Sequence, residues 1–90
     1  MHTASARLVF YIPYAASLKD KRRVCRSLVD KVRNRFNAAI AEVDTQDVHR
    51  TLTIGIAVVS GQSGQAQIML DEIVRYMEEQ ADAELIEVEI

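Results

Sequence analysis

Eight of the eleven lysines and arginines in this chain fall in one short segment: Lys19, Lys21, Arg22, Arg23, Arg26, Lys31, Arg33 and Arg35. Only Asp20 and Asp30 oppose them there, which leaves the segment at +6. A row of cations can match the phosphates of a nucleic acid backbone, each contact releasing condensed counterions. At roughly 100° per residue, Lys19, Arg22, Arg23, Arg26 and Arg33 share one flank of a helix. These five are the candidate RNA-binding residues. Lys21, Lys31 and Arg35 fall on the other side of the apolar stripe. The plainer reading is a solvated flank whose arginines pair with carboxylates and whose stems cover apolar surface. Carboxylates are at hand: Asp71, Glu72, Glu78, Glu79, Asp82, Glu84, Glu87 and Glu89 face Arg75 alone in the last twenty residues, a net −7. The chain is therefore dipolar, and its total of −2 is a cancellation. An acidic pI near 5.6 argues against a nucleic-acid domain. The distribution restores that partner, on one side of the molecule only.

Other residues with chemical potential form weaker sets. Glu42, Asp44, Asp47 and His49, with His2, could bind a divalent cation or share a proton. Their spacing matches no metal motif, strand alternation separates neighbours onto opposite faces, and turn and edge-strand charges account for them better. No metal site is expected. Cys25 lies on an apolar helical stripe, where a thiol acts as a small hydrophobe rather than a nucleophile. Gly61-Gln62-Ser63-Gly64 spells GxxG, the backbone clamp of KH domains, but here it would join a strand to a helix. A turn and cap explain it, although a helix N-terminus can also hold an anion. No Ser-His-Asp order, P-loop or zinc spacing occurs. The expectation is a non-enzymatic protein without a cofactor.

Ninety residues make one domain, expected to span 1–90. With 49% apolar and 27% charged residues, the chain has the balance of a soluble globular protein. No apolar run approaches the roughly 20 residues of a membrane span, and no secretory signal is expected at the N-terminus. A single cysteine excludes an intrachain disulfide and suits the cytoplasm.

The elements that position these groups follow from periodicity. Ala4 to Ile12 alternate as a strand that Pro13 ends. Ser17 is an N-cap, with Asp20 three residues on completing a capping-box-like pattern. The helix runs to about Phe36, with Leu18, Cys25, Leu28, Val29, Val32 and Phe36 on one face. Ala38 to Asp44 and Arg50 to Val59 read as strands joined in a hairpin. In the second, Leu52, Ile54, Ile56 and Val58 point one way. A second helix spans about Gln65 to Gln80, buried through Ala66, Met69, Leu70, Ile73, Val74 and Met77. Glu84 to Ile90 form a last strand, with Ile86, Val88 and Ile90 alternating against Leu85, Glu87 and Glu89. The predicted core is Phe10, Leu28, Val32, Phe36, Ile54, Ile56, Leu70 and Ile73.

The order βαββαβ is the split βαβ pattern: an α+β, ferredoxin-like fold with a four-stranded antiparallel sheet and two helices on one face. The other sheet face then meets water, a partner or a second copy. RNA-recognition domains of this topology stack bases on aromatics of the two central strands. Tyr11 or Phe10 is available on the first strand, but the third has no aromatic. A face of Arg7, Val9, Tyr11 and small residues suits a homodimer better.

Ser17-Leu18-Lys19-Asp20-Lys21-Arg22-Arg23 resembles the signature Ser-Leu-Lys-(acidic)-Lys-Arg of the YlxP-like family, small bacterial proteins without an assigned biochemical function. Arg33-Asn34-Arg35-Phe36-Asn37, Ala41-Glu42-Val43-Asp44, Gln46-Asp47 and Gly55 to Ser60 are similar to the same pattern. The resemblance covers nearly the whole chain and implies a ferredoxin-like fold. Genes of that family often neighbour those for transcription-elongation and translation-initiation factors, ribosome-binding factor A and a transfer-RNA modifying enzyme. It thus implies an accessory role in RNA or ribosome biology. Acylphosphatases share the fold, but hold phosphate in a glycine-containing loop followed by arginine. The corresponding Pro13-Tyr14-Ala15-Ala16 has neither. Two readings therefore stand: RNA or ribosome binding through the first helix, and a protein-interaction module. The module would homodimerise through the open face or dock an acidic protein on its basic helix.

Overall fold

The computed structural model describes residues 1–90. Six elements follow in chain order: β1 (His2–Tyr11), α1 (Leu18–Arg35), β2 (Ala39–Asp44), β3 (Thr51–Ser60), α2 (Gln65–Gln80) and β4 (Glu84–Glu89). The sheet order is β2-β3-β1-β4, with every neighbour antiparallel. This is the ferredoxin-like arrangement that the sequence pattern predicts.

Alternation builds the sheet. Ala6, Leu8 and Phe10 of β1, with Ile12 just beyond it, and Leu52, Ile54, Ile56 and Val58 of β3 are buried on the helix-covered face. Leu28 and Val32 of α1 and Ala66, Leu70, Ile73 and Met77 of α2 complete the core. The helix α1 packs on β2 and β3, and α2 on β1 and β3. The predicted core is buried except for Phe36, which is half-exposed at the C-cap of α1. Its ring meets Tyr76 edge-on, with centroids 5.3 Å apart.

The helix ends are set by local chemistry. Ser17 Oγ accepts the Asp20 N–H at 3.2 Å, and Asp20 Oδ2 accepts the Ala16 N–H at 2.9 Å. The carboxylate reaches one residue beyond the usual capping box. Gly64 starts α2 at a φ of +81° without a side-chain cap, which glycine adopts without steric cost.

Two bulges change which way side chains point. In β4 the register against β1 shifts between Val9 and Phe10, so that Leu85 packs on the core and Ile86 is exposed. The alternation of Ile86, Val88 and Ile90 against Leu85, Glu87 and Glu89 is thereby interrupted at Ile86. Ile86 is the extra residue and is exposed, whereas Val88 still pairs with the core residue Leu8 and lines a groove with Val74 and Ile90, on the helix side but at an edge the helices leave open. In β2 the shift against β3 lies between Glu42 and Asp44. Glu42 stays on the helix side, whereas Asp44 turns to the open face beside Arg7.

Candidate nucleic-acid interface

The capped start of α1 fixes the rotation of its charges. Lys19, Arg22, Arg23, Arg26 and Arg33 are all exposed. No carboxylate lies within ion-pairing distance of any of them, since the three ion pairs of the structure belong to Arg7 and Lys21. Arg33 donates to the Ile40 carbonyl at 3.3 Å, which places this flank over the free edge of β2. The glutamates of β4 occupy the opposite edge of the sheet. Lys31 and Arg35 turn toward α2, as the helical spacing predicts. Arg23 and Lys31 line a groove with Gln80, Ala81 and Asp82. The Arg35 guanidinium lies 4.9 Å from the centre of the Tyr76 ring, within cation–π range.

Lys21 departs from the sequence reading, which placed it with Lys31 and Arg35 beside the apolar stripe. It is 1% exposed. Its Nζ donates to the carbonyls of Thr45 at 2.6 Å and Gln46 at 3.1 Å, and lies 2.9 Å from Glu42 Oε2. The approach to Oε2 is too oblique for a hydrogen bond, which leaves that buried oxygen without an aligned donor. Charge attraction has no such angular requirement, so the contact is an ion pair. The ammonium ties α1 to the hairpin between β2 and β3, where Thr45 sits in the left-handed region at a φ of 54°. The sequence does carry the signal. Lys21 precedes Leu28 by seven residues and Val32 by eleven, within the buried arc.

The remaining chemical candidates do not converge. No group of three metal-ligating side chains forms, and the β2 bulge sends Glu42 and Asp44 to opposite faces. Cys25 is half-buried, and burial first, then the charge of Glu42, pushes its thiol up, opposed by Lys21. That disfavours the thiolate a nucleophile needs. On the sheet, Phe10 is buried in the core and Tyr11 is 38% exposed, so one aromatic on β1 faces solvent and β3 offers none. Arg7 is the lone cation of the open face, held 3.2 Å from Glu89 and 3.9 Å from Asp44. Base stacking on the sheet has no platform, and the α1 flank is a cationic surface with no carboxylate in ion-pairing range, although Arg23 shares its groove with Asp82.

A family model described as "Protein of unknown function (DUF503)" matches residues 3–90. The chain belongs to the DUF503 family. It is also 34% identical over 64 residues to "Uncharacterized protein YlxP" of Bacillus subtilis (strain 168), covering 71% of this chain and 70% of that protein. The YlxP-like resemblance is thus borne out. In this DUF503 chain the stretch Ser17 to Arg23 divides into three physical roles. Ser17 and Asp20 cap the helix, Lys21 clamps the hairpin, and Lys19, Arg22 and Arg23 face solvent.

Proposed function

We propose that this DUF503 protein is a non-enzymatic accessory of RNA or the ribosome, binding phosphates through the outer flank of α1. One observation supports the reading above the rest. Lys19, Arg22, Arg23, Arg26 and Arg33 are exposed with no carboxylate in ion-pairing range, and Arg33 reaches the free edge of β2, remote from β4. Cations on one rigid helix without carboxylate partners break no ion pair when they meet phosphates, and Arg33 alone has a hydrogen bond to exchange, to the Ile40 carbonyl. The gene neighbourhood of the YlxP-like family supports the same reading.

The test is RNA binding and ribosome co-sedimentation as a function of salt. Each single-strand phosphate contact contributes about 0.7 to the slope of log K against log salt, so five contacts predict a slope near −3.5. Reversing Arg22, Arg23 and Arg26 to Glu should abolish co-sedimentation. A wild-type chain without any salt-sensitive association with RNA or ribosomes would overturn the proposal. Salt-dependent capture of an acidic protein that survives nuclease would assign the flank to a protein partner instead.

A further inference from the structure

The face of the sheet opposite the helices has its own composition. Ser5 of β1, Ala39, Ala41 and Val43 of β2, and Gly55 and Ala57 of β3 line a shallow trough of about 520 Å³, with Arg7 and Glu89 at its side. Val59, at the end of β3, is 59% exposed, and Val43 is 50% exposed. At Gly55 an added Cβ would lie 2.8 Å from Val43 Cγ1, so the Val43 side chain fills the space over the glycine. Nearer the hairpin the same face is already closed. Thr53 is fully buried, with its hydroxyl 2.9 Å from that of Thr45.

We infer that a second copy of this chain covers the open face, forming a twofold dimer with the two sheets stacked and both α1 helices outward. The inference does not rest on RNA binding. Three observations select the occupant. First, the charges of this face are compensated within the chain, Arg7 lying between Glu89 and Asp44. A nucleic acid or a highly charged protein finds no unpaired row there, whereas a second face of small uncharged side chains fits.

Second, the area matches a weak dimer. Strands of six to ten residues, spaced about 4.8 Å, give four-stranded faces of roughly 20 by 25 Å, or about 1,000 Å² for two copies. That meets the roughly 1,000 Å² threshold of a biological interface, at the weak end of the range, which suits self-association at micromolar concentration. Third, the alternative of joining sheets edge to edge is blocked on both sides. Glu84, Glu87 and Glu89 line β4. The edge of β2 is bulged, and Arg33 occupies its Ile40 carbonyl. A twofold axis running along the strands between β1 and β3 lays each β1 on the partner copy's β3. Arg7 and Gly55 are Cα partners at one height, so each Arg7 then lies over the partner copy's Gly55, which the Val43 side chain covers.

Sedimentation equilibrium of the wild-type chain across the micromolar range is the experiment, alongside Ala57→Glu. Ala57 is exposed at the trough floor, so the charge enters the interface without entering the core. Wild type should be a dimer, and A57E should weaken self-association by at least a hundredfold with an unchanged circular dichroism spectrum. Should A57E misfold, Ser5→Glu on the cross-strand partner makes the same test. The Arg22, Arg23, Arg26 reversal should leave the dimer intact, which separates this inference from RNA binding. A wild-type chain that stays monomeric throughout overturns it, as does an A57E chain that dimerises like wild type. Another protein bound to this face of a monomeric chain overturns it too.

Discussion

Lys21 shows how one side chain can change the reading of a charged segment. Its ammonium is enclosed by Glu42 and two hairpin carbonyls. Removing one partner of a buried pair strands the other charge, which costs about 3–5 kcal/mol. Lys21→Met should therefore lower stability by roughly that amount, at the lower end because Glu42 keeps some access to water. Lys21→Met with Glu42→Leu should recover much of the loss. Urea midpoints of the two singles and the double check this, and strictly additive losses would remove the coupling. Cys25, one helical turn further on, gives a reactivity prediction. Its thiol is raised above its ordinary value of 9.0 mainly by burial, so the native fold favours the neutral thiol. The stability linked to it is complete below that value and declines as pH rises past it. Alkylation at pH 8 should run several-fold slower in the native chain than after unfolding in urea. Equal rates would place the thiol in solvent.

Among the elements, α1 is the one whose two faces carry separate tasks. Its inner face packs Leu28 and Val32 into the core, and its outer flank carries the unpaired cations. Truncating Leu28 removes buried methyls and leaves a cavity, so Leu28→Ala should cost about 2–5 kcal/mol. A loss below about 1 kcal/mol in the denaturation midpoint would place Leu28 outside the core. Existence and type of all six elements were legible in the sequence, because alternation and helical spacing are both strong in this chain. The two bulges were not. A bulge is settled by pairing between strands distant in sequence, and no local pattern at Glu42 to Asp44 or at Leu85 to Ile86 announces the extra residue. The consequence was direct. Leu85 and Val88, three residues apart, share the helix side with Ile86 as the extra residue between them, and Glu42 and Asp44, two residues apart, face opposite sides.

At the scale of the whole molecule, topology decides what the charge asymmetry can do. The order β2-β3-β1-β4 sets the acidic last strand at one edge, while α1 lies over β2 and β3 at the other. The basic flank is therefore separated from the glutamates of β4 by the width of the sheet. Exposed charges that far apart are largely screened at physiological salt. This separation is the reason the proposed RNA contacts should behave additively in the salt titration. A stacked-sheet dimer would carry two such flanks on opposite outer surfaces, so its RNA sites would be separate rather than joined in one groove. No helix is long and apolar enough to cross a membrane.

The sequence by itself determined the order of elements, the ferredoxin-like class, most of the core, the family and the position of the basic row. The family came from the resemblance of motifs such as Ser17 to Arg23; the others follow from periodicity, capping residues or local charge, which act within a few turns of chain. Only the tertiary structure decided that Lys21 is buried, that Asp44 and Glu42 part company, and that the five flank cations have no carboxylate partner. Those outcomes depend on which distant strand lies alongside, and on whether a carboxylate arrives within a few ångströms of a given cation. Spacing along one helix cannot specify that distance, because the partner side chain belongs to another element.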